Sequence, residues 1–240
     1  MILTIHQPEH LPWLGFFHKL SMAERYVALD NVQYRHKYYQ NRNRIPGPNA
    51  ELWLRVPVLH KGKQEQLISE VCIEPKSRWQ KKVWRSITLV YSKAPYFSAY
   101  AAEFEEIYMR DWDRLIDLNL ELISLCLRLF NIQLEIVRAS SLVSNGKGEM
   151  LILDLCKAAK ADIYISGISG IAGKGSGYEI AFREAGIDVV YQEFHHPLYT
   201  QLNPPFFPCM SAIDLLFNHG PESRRILMGE GVPVMENFFT

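Results

Sequence analysis

His6 is the residue in this chain whose type and setting best suit proton transfer. An imidazole with an ordinary pKa of about 6.5 can carry or release a proton near neutrality. It ends a short apolar run, and Pro8, two residues on, stiffens the backbone that aims His6 and Gln7. A histidine after a strand more often serves structure, and it is this rigid setting that tips the reading the other way. His10 and His18 are weaker candidates. Pro8 breaks any regular helix that would pair His6 with His10, no carboxylate cluster accompanies them, and no metal site is expected.

Amides and cations suggest a second chemistry, the holding of anions and hydroxyls. Gln40-Asn41-Arg42-Asn43-Arg44 is the densest hydrogen-bonding stretch, and it follows Tyr34, His36, Tyr38 and Tyr39. Amide and guanidinium donors beside stacking rings suit a carboxylate, a phosphate or sugar hydroxyls; the plainer alternative is a solvated loop. Two glycine-bearing loops, Ser144 to Glu149 with Lys147 and Ser166 to Gly177 with Lys174, precede helices, where backbone amides can cradle anions. The second is no Walker A loop, since Ile168 and Gly175 occupy positions that motif reserves for Gly and for Ser or Thr. Trp79, Lys82 and Ser86 share one helix face, more often a core edge with a snorkelling amine than a site. Tyr199, Gln201 and Asp214 lie in an apolar tail, where Asp214 must be paired or solvated, or its pKa would rise.

The elements that would position these groups follow from apolar periodicity. Strands are predicted at Ile2 to Ile5, Arg25 to Leu29, Leu134 to Arg138, Asp162 to Ser166 and Val189 to Gln192; helices at Leu14 to Leu20, Met150 to Ala159 and Tyr178 to Ala185. That alternation predicts an α/β fold with an open, mostly parallel sheet and flanking helices. Ligands of such sheets bind beyond the carboxyl ends of the strands. Those exits are polar here: His6-Gln7, Asp30-Asn31, Ser140-Ser141, Ser166-Gly167 and Glu193 to His196. Glu51 to Val58 and Ile68 to Ile73 read as an antiparallel hairpin around a turn at residues 61 to 66. Two or three helices are expected between Ser77 and Phe130, with Pro95 opening a new one. The whole chain, residues 1 to 240, is read as one domain with an insertion at roughly 46 to 130.

The bulk numbers narrow the partners. Lys plus Arg equals Asp plus Glu at 26 each in 240 residues, so no field of one sign invites nucleic acid or an anionic membrane. The four cysteines are scattered, with no zinc framework or disulfide scaffold. No run of about 18 apolar residues spans a bilayer, and the opening residues lack a basic leader, so a cytoplasmic protein acting on small molecules is expected. Oligomeric state is left open.

At His6-Gln7-Pro8-x-x-Leu11-Pro12-Trp13-x-Gly15 and Gln40-Asn41-Arg42-Asn43-x-Ile45, the sequence resembles the WbqC-like family, found with genes for O-antigen and other bacterial surface polysaccharides. The likeness continues through Asp30-x-Val32-Gln33-Tyr34, Trp79-x-x-Lys82, Tyr164-x-Ser166-Gly167, Tyr199-x-Gln201 and Ser211-x-Ile213-Asp214. It departs at His10, where the family usually carries Tyr. The resemblance implies a transferase or ligase, with glycine or another aminoacyl unit joined to a sugar-like acceptor, so that an amino acid and a nucleotide sugar become the expected small molecules.

In that reading His6 takes the nucleophile's proton, and Asp30 and Gln33 orient the acceptor. Asn41 and Arg42 hold a carboxylate or phosphate, and Ser166 and Gly167 donate amides to developing charge. Gln7, Trp13, Tyr34, Gln40, Asn43, Lys82, Ser141, Lys147, Tyr199, Gln201 and Asp214 complete the candidate binding set. The opening strand, histidine loop and helix also resemble nucleotidylyltransferases of the HUP class, although the His-x-Gly-His signature is absent; ATP with magnesium therefore stays open as a cofactor. A non-catalytic sugar- or protein-binding module of a polysaccharide assembly system is the remaining alternative.

Overall fold

The computed structural model describes residues 1–59, 61–63, 65–167 and 177–235. Lys174 and most of the late glycine-rich loop lie outside that set. The fold is α/β, with a five-stranded all-parallel sheet flanked by helices and a separate two-stranded antiparallel sheet. The chain divides into two compact units. Met1–Gln7, His18–Asn31 and Gln133–Phe194 form the first; Pro8–Phe17, Val32–Ile132 and the segment from His195 onward form the second.

The first unit holds the sheet of β1 (Ile2–His6), β2 (Arg25–Ala28), β5 (Glu135–Arg138), β6 (Ile163–Ser166) and β7 (Asp188–Tyr191), in the order β5-β2-β1-β6-β7. Numbered by appearance this is 3-2-1-4-5, the start of the doubly wound order, and the chain reverses direction across the sheet between β1 and β6. The sequence explains who sits where. Ile2-Leu3-Thr4-Ile5 has no polar alternation and is buried through its middle, as a central parallel strand must be. Asp188-Val189-Val190-Tyr191 alternates exposed and half-buried residues at the edge. Helices α5 (Glu149–Ala158) and α6 (Gly177–Glu184) make the crossovers, and Phe182 stacks on Tyr164 with ring centroids 5.6 Å apart.

The second unit contains the hairpin β3 (Arg42–Pro46) and β4 (Glu51–Arg55), then α2 (Trp79–Tyr91), α3 (Phe97–Met109) and α4 (Leu115–Leu129), with α7 (Ile213–His219) and α8 (Ser223–Leu227) from the tail. The eight-residue α1 (Leu14–Ser21) is shared by sequence between the two units. The expected pairing of Glu51 to Val58 with Ile68 to Ile73 is corrected here. Ile68–Glu70 is a turn of 3-10 helix, and only a single bridge, Val58 to Ile73, survives of that ladder. The partner of β4 is β3, which overlaps the Gln40 to Arg44 cluster, because Gly47-Pro48-Asn49-Ala50 supplies the tight turn, closed by Gly47 N–H donating to the Ala50 carbonyl at 3.0 Å. Between Ser77 and Phe130 the helices number three, with the third opening after the Asp111-Trp112-Asp113 break.

Candidate functional site

The reversal between β1 and β6 is where an open parallel sheet leaves a crevice at its carboxyl edge. His6 ends β1 and Ser166 ends β6, with Gly167 next, so two predicted exits flank it. His6 is half-buried, and its Nδ1 lies 2.9 Å from the Gln7 carbonyl, which accepts only from N–H. A neutral imidazole that donates through Nδ1 carries its lone pair on Nε2. Burial, with the nearby Lys19 ammonium adding to it and the Gln7 carbonyl opposing, lowers the pKa to about 3. His6 is therefore a neutral ring near neutrality, rather than a half-protonated one.

Lys19 was missed by sequence reasoning. It lies on α1, is only 3% exposed, and donates from Nζ to the Ile5 carbonyl at 3.1 Å. It also faces the opposite strand exit, since a Cβ on Gly167 would lie 3.5 Å from its Nζ. A signal existed. Leu14, Gly15, Phe16, Phe17 and Leu20 are all buried, so the helix is apolar almost all round, and a lysine on such a helix must be carried inward. An ammonium held there is a strong local field for an anion.

Asp30, at the exit of β2, is fully buried, and its own chain engages both carboxylate oxygens. Oδ1 accepts from Ser140 N–H at 2.8 Å, and Oδ2 accepts from Ser140 Oγ and Arg138 Nε, each at 2.8 Å. That triad ties β2 to β5 and the segment after it. Ser141 is exposed, its hydroxyl donating to the Arg138 carbonyl. In the Ser144 to Glu149 loop the amides of Asn145 and Gly146 already hold an anion, the Asp154 carboxylate of α5 at 3.2 and 2.8 Å, while Lys147 stands exposed. Beyond β7, Gln192 Nε2 donates to His18 Nδ1 at 3.0 Å, and His18 packs against Phe194.

The remaining predicted residues belong to the second unit. Strand periodicity splits the Gln40 to Arg44 cluster in two: Asn41 and Asn43 turn inward, Arg42 and Arg44 outward. Asn41 Nδ2 donates to the Val56 carbonyl at 2.8 Å and Asn43 Nδ2 to that of Leu11 at 2.7 Å, holding Leu11 at a positive φ of 45°. Gln40 is buried, and its carbonyl accepts from Asn119 Nδ2 at 2.7 Å. The Trp13-x-Gly15 spacing has a packing reason, since a Cβ on Gly15 would come within 2.4 Å of the Trp13 ring. Gln33 is exposed beside a bridge to Leu67, and Tyr34 is buried, with burial raising its phenol to about 12. Tyr199 and Gln201 both donate to Asp214. Lys82 is exposed on α2.

His10, the doubtful histidine, is fully buried in this second unit. Its Nδ1 lies 3.3 Å from Asn119 Oδ1, and its Nε2 lies 3.1 Å from the Tyr108 hydroxyl, an arrangement that a neutral ring satisfies by donating from Nδ1 and accepting at Nε2. Burial lowers its pKa to about 4. A histidine that must be neutral when folded binds its proton more tightly when unfolded, so it withdraws stability as pH falls from about 6.5 towards 4. Two to two and a half pK units at about 1.4 kcal/mol each give roughly 3 kcal/mol. Urea titrations of wild type and His10→Gln between these pH values should show a loss on acidification smaller by about that amount in the variant; identical pH profiles would refute it.

The fold and the crevice define an α/β protein whose sheet reverses around a neutral histidine and a buried lysine. The chain belongs to the WbqC-like protein family, whose family model matches residues 7–226. It is similar to a Mycobacterium tuberculosis (strain ATCC 25618 / H37Rv) protein described as uncharacterized protein Rv1507c, with 31% identity over 224 residues, covering 92% of this chain and 95% of that one. No solved structure matches it at a significant level. Among the described residues no helix is long and apolar enough to cross a membrane, and no group of three His, Cys, Asp or Glu could hold a metal ion.

Proposed function

We propose that this protein is a transferase that joins an acyl unit, an aminoacyl unit such as glycine among them, to a hydroxyl or amine of a sugar-like acceptor, with the chemistry at the carboxyl ends of β1 and β6. The observation that carries the reading is the juxtaposition of His6 and Lys19 beside Gly167 at the sheet reversal. Acyl transfer needs a proton acceptor for the attacking group and positive charge for the oxyanion that forms at the carbonyl. His6 Nε2 takes the acceptor's proton as the new bond to the acyl carbon forms. The Lys19 ammonium and the Gly167 amide stabilise the oxygen, and the donor's leaving group then departs with the proton that His6 returns.

The low pKa of His6 fits this order of events. Burial is the larger cause of the depression, and an anionic donor beside Lys19 offsets the smaller, electrostatic one, so the basicity of His6 rises once substrate is in place. A second reading, nucleotidyl transfer from ATP with magnesium, is favoured by one observation, the strand order that binds nucleotides at its reversal.

A thermal-shift screen of glycine, other amino acids, nucleotide sugars and ATP with magnesium separates the two. A ligand at 100 times its dissociation constant adds about 2.7 kcal/mol of stability. Stabilisation by an amino acid or nucleotide sugar, lost in Lys19→Met, is the expected result; stabilisation by ATP with magnesium alone, likewise lost in Lys19→Met, would replace the first reading with the second.

A further inference from the structure

The second unit carries a groove that the strand-end crevice does not explain. It has a volume of about 690 Å³ and runs between β4 and the start of α2, within the range of small-molecule sites. Its floor is apolar, with Leu54, Trp79 and Val83 all buried. Its rim is cationic: Arg55 from β4, and Arg78 and Lys82 one helical turn apart, all exposed. No Asp or Glu lies among the described residues that line it, although acids and bases are equal in number over the chain.

One wall is an indole held in place. Trp53 remains 40% exposed, yet the Arg42 guanidinium lies 4.3 Å from its ring centroid, Arg44 lies 5.6 Å away, and Tyr39 packs at 6.1 Å. The hairpin register produces this, pairing Arg42 with Arg55 and Arg44 with Trp53 on one outward face. Glu51 engages Arg44 in a two-pronged ion pair, so the acid of that hairpin is already committed. A part-exposed indole held in a fixed orientation, next to three cations with no acid among them, sets a ring surface beside anion-binding charge.

We infer that this groove binds a nucleoside diphosphate, its base or sugar ring against Trp53 and its phosphates between Arg55, Arg78 and Lys82. The ring and the charges are both needed. A bare anion leaves the indole and apolar floor unused, and a neutral ring leaves the cations unpaired. The inference is independent of the acyl-transfer reading, because it concerns binding in the second unit alone.

The test is calorimetric titration of the full chain with uridine diphosphate and adenosine diphosphate, with pyrophosphate and uridine as separate arms. At least one diphosphate should bind saturably, about tenfold or more tighter than either fragment. Arg78→Ala and Lys82→Ala should each weaken it by about tenfold, since both side chains are exposed and their loss leaves the fold intact. Trp53→Ala should bring the nucleotide down to the pyrophosphate level, and Arg55→Ala supplies a second rim variant should Trp53→Ala unfold. His6→Ala, in the other unit, should leave the diphosphate affinity unchanged. Absence of saturable binding, equal binding of pyrophosphate, or a loss confined to His6→Ala would each overturn the assignment.

Discussion

Asp214→Ala is expected to destabilise the protein by about 3 kcal/mol at neutral pH, and by roughly 1 kcal/mol more at pH 5. The carboxylate is fully buried on α7 and collects four donors. Tyr91 Oη and Asn218 Nδ2 reach Oδ1 at 2.9 and 3.3 Å, while Tyr199 Oη and Gln201 Nε2 reach Oδ2 at 2.9 Å each. These donors come from α2, α7 and the tail, so one acid side chain ties together segments more than a hundred residues apart. Removing it strands two buried phenols, each left unsatisfied at about 1–3 kcal/mol, while the Gln201 and Asn218 amides keep backbone acceptors at Phe207 and residue 214.

The pH dependence follows from the sign of its shift. Burial, opposed by the Tyr199, Tyr91 and Gln201 hydrogen bonds, raises its pKa from 3.8 to about 6. The folded state therefore holds this proton more tightly, and stability from this group is fully present below the unfolded pKa and is lost as pH rises through 6. Acidification makes the wild type relatively stronger and the Ala variant does not follow. Denaturant titrations at pH 5 and 7 check this, and a cost below about 1 kcal/mol, or one that does not change with pH, would remove Asp214 as the tie.

His10 and Asp214 thus pull in opposite directions over one pH window. Falling pH costs about 3 kcal/mol at the histidine and returns about as much at the aspartate. Wild type should look flat in this interval with respect to these two groups, and each single variant unmasks the other's titration. His6, with its pKa lowered to about 3, adds a further loss on the acid side with no such counterweight.

How much of this was legible beforehand depends on what a residue type encodes. The parallel strands were legible, because Ile2 to Ile5 and Ile163 to Ile165 are apolar on both faces and the elements between them are helical in period. The exit of His6 from β1 followed from the same pattern. The partner of β4 was not legible, because propensity marks a strand but not what it pairs with; the Gly47-Pro48 turn held that information. The roles of Asn41 and Asn43 were not legible either, since a side-chain amide that satisfies a backbone carbonyl and one that awaits a ligand are the same residue type. Lys19 was overlooked because a lysine is charged by type, and only the all-round burial of α1 turns it inward.

On the proposed acyl-transfer reading, His6→Ala is the variant with the largest expected effect on turnover, a fall of about 10²- to 10⁴-fold with the fold retained. The size follows from what the imidazole does. Removing the proton acceptor leaves water or the unaided nucleophile to carry out the same step, while the Lys19 and Gly167 contribution to the oxyanion persists. His6 is half-buried and its Nδ1 contact is to its own neighbour's carbonyl, so truncation leaves a small gap that costs the fold little. The pH profile carries an independent check. If an anionic donor beside Lys19 raises the imidazole from about 3, the acid limb for turnover on bound substrate should sit at higher pH than the ring's titration in the empty protein, which NMR of the imidazole protons reads directly. Lys19→Met should raise the free-state pKa of His6 by the ammonium's share of the depression, which is smaller than that of burial. Near-normal turnover in His6→Ala would take proton transfer away from this histidine, and an unshifted His6 in Lys19→Met would show that the ammonium does not set its charge.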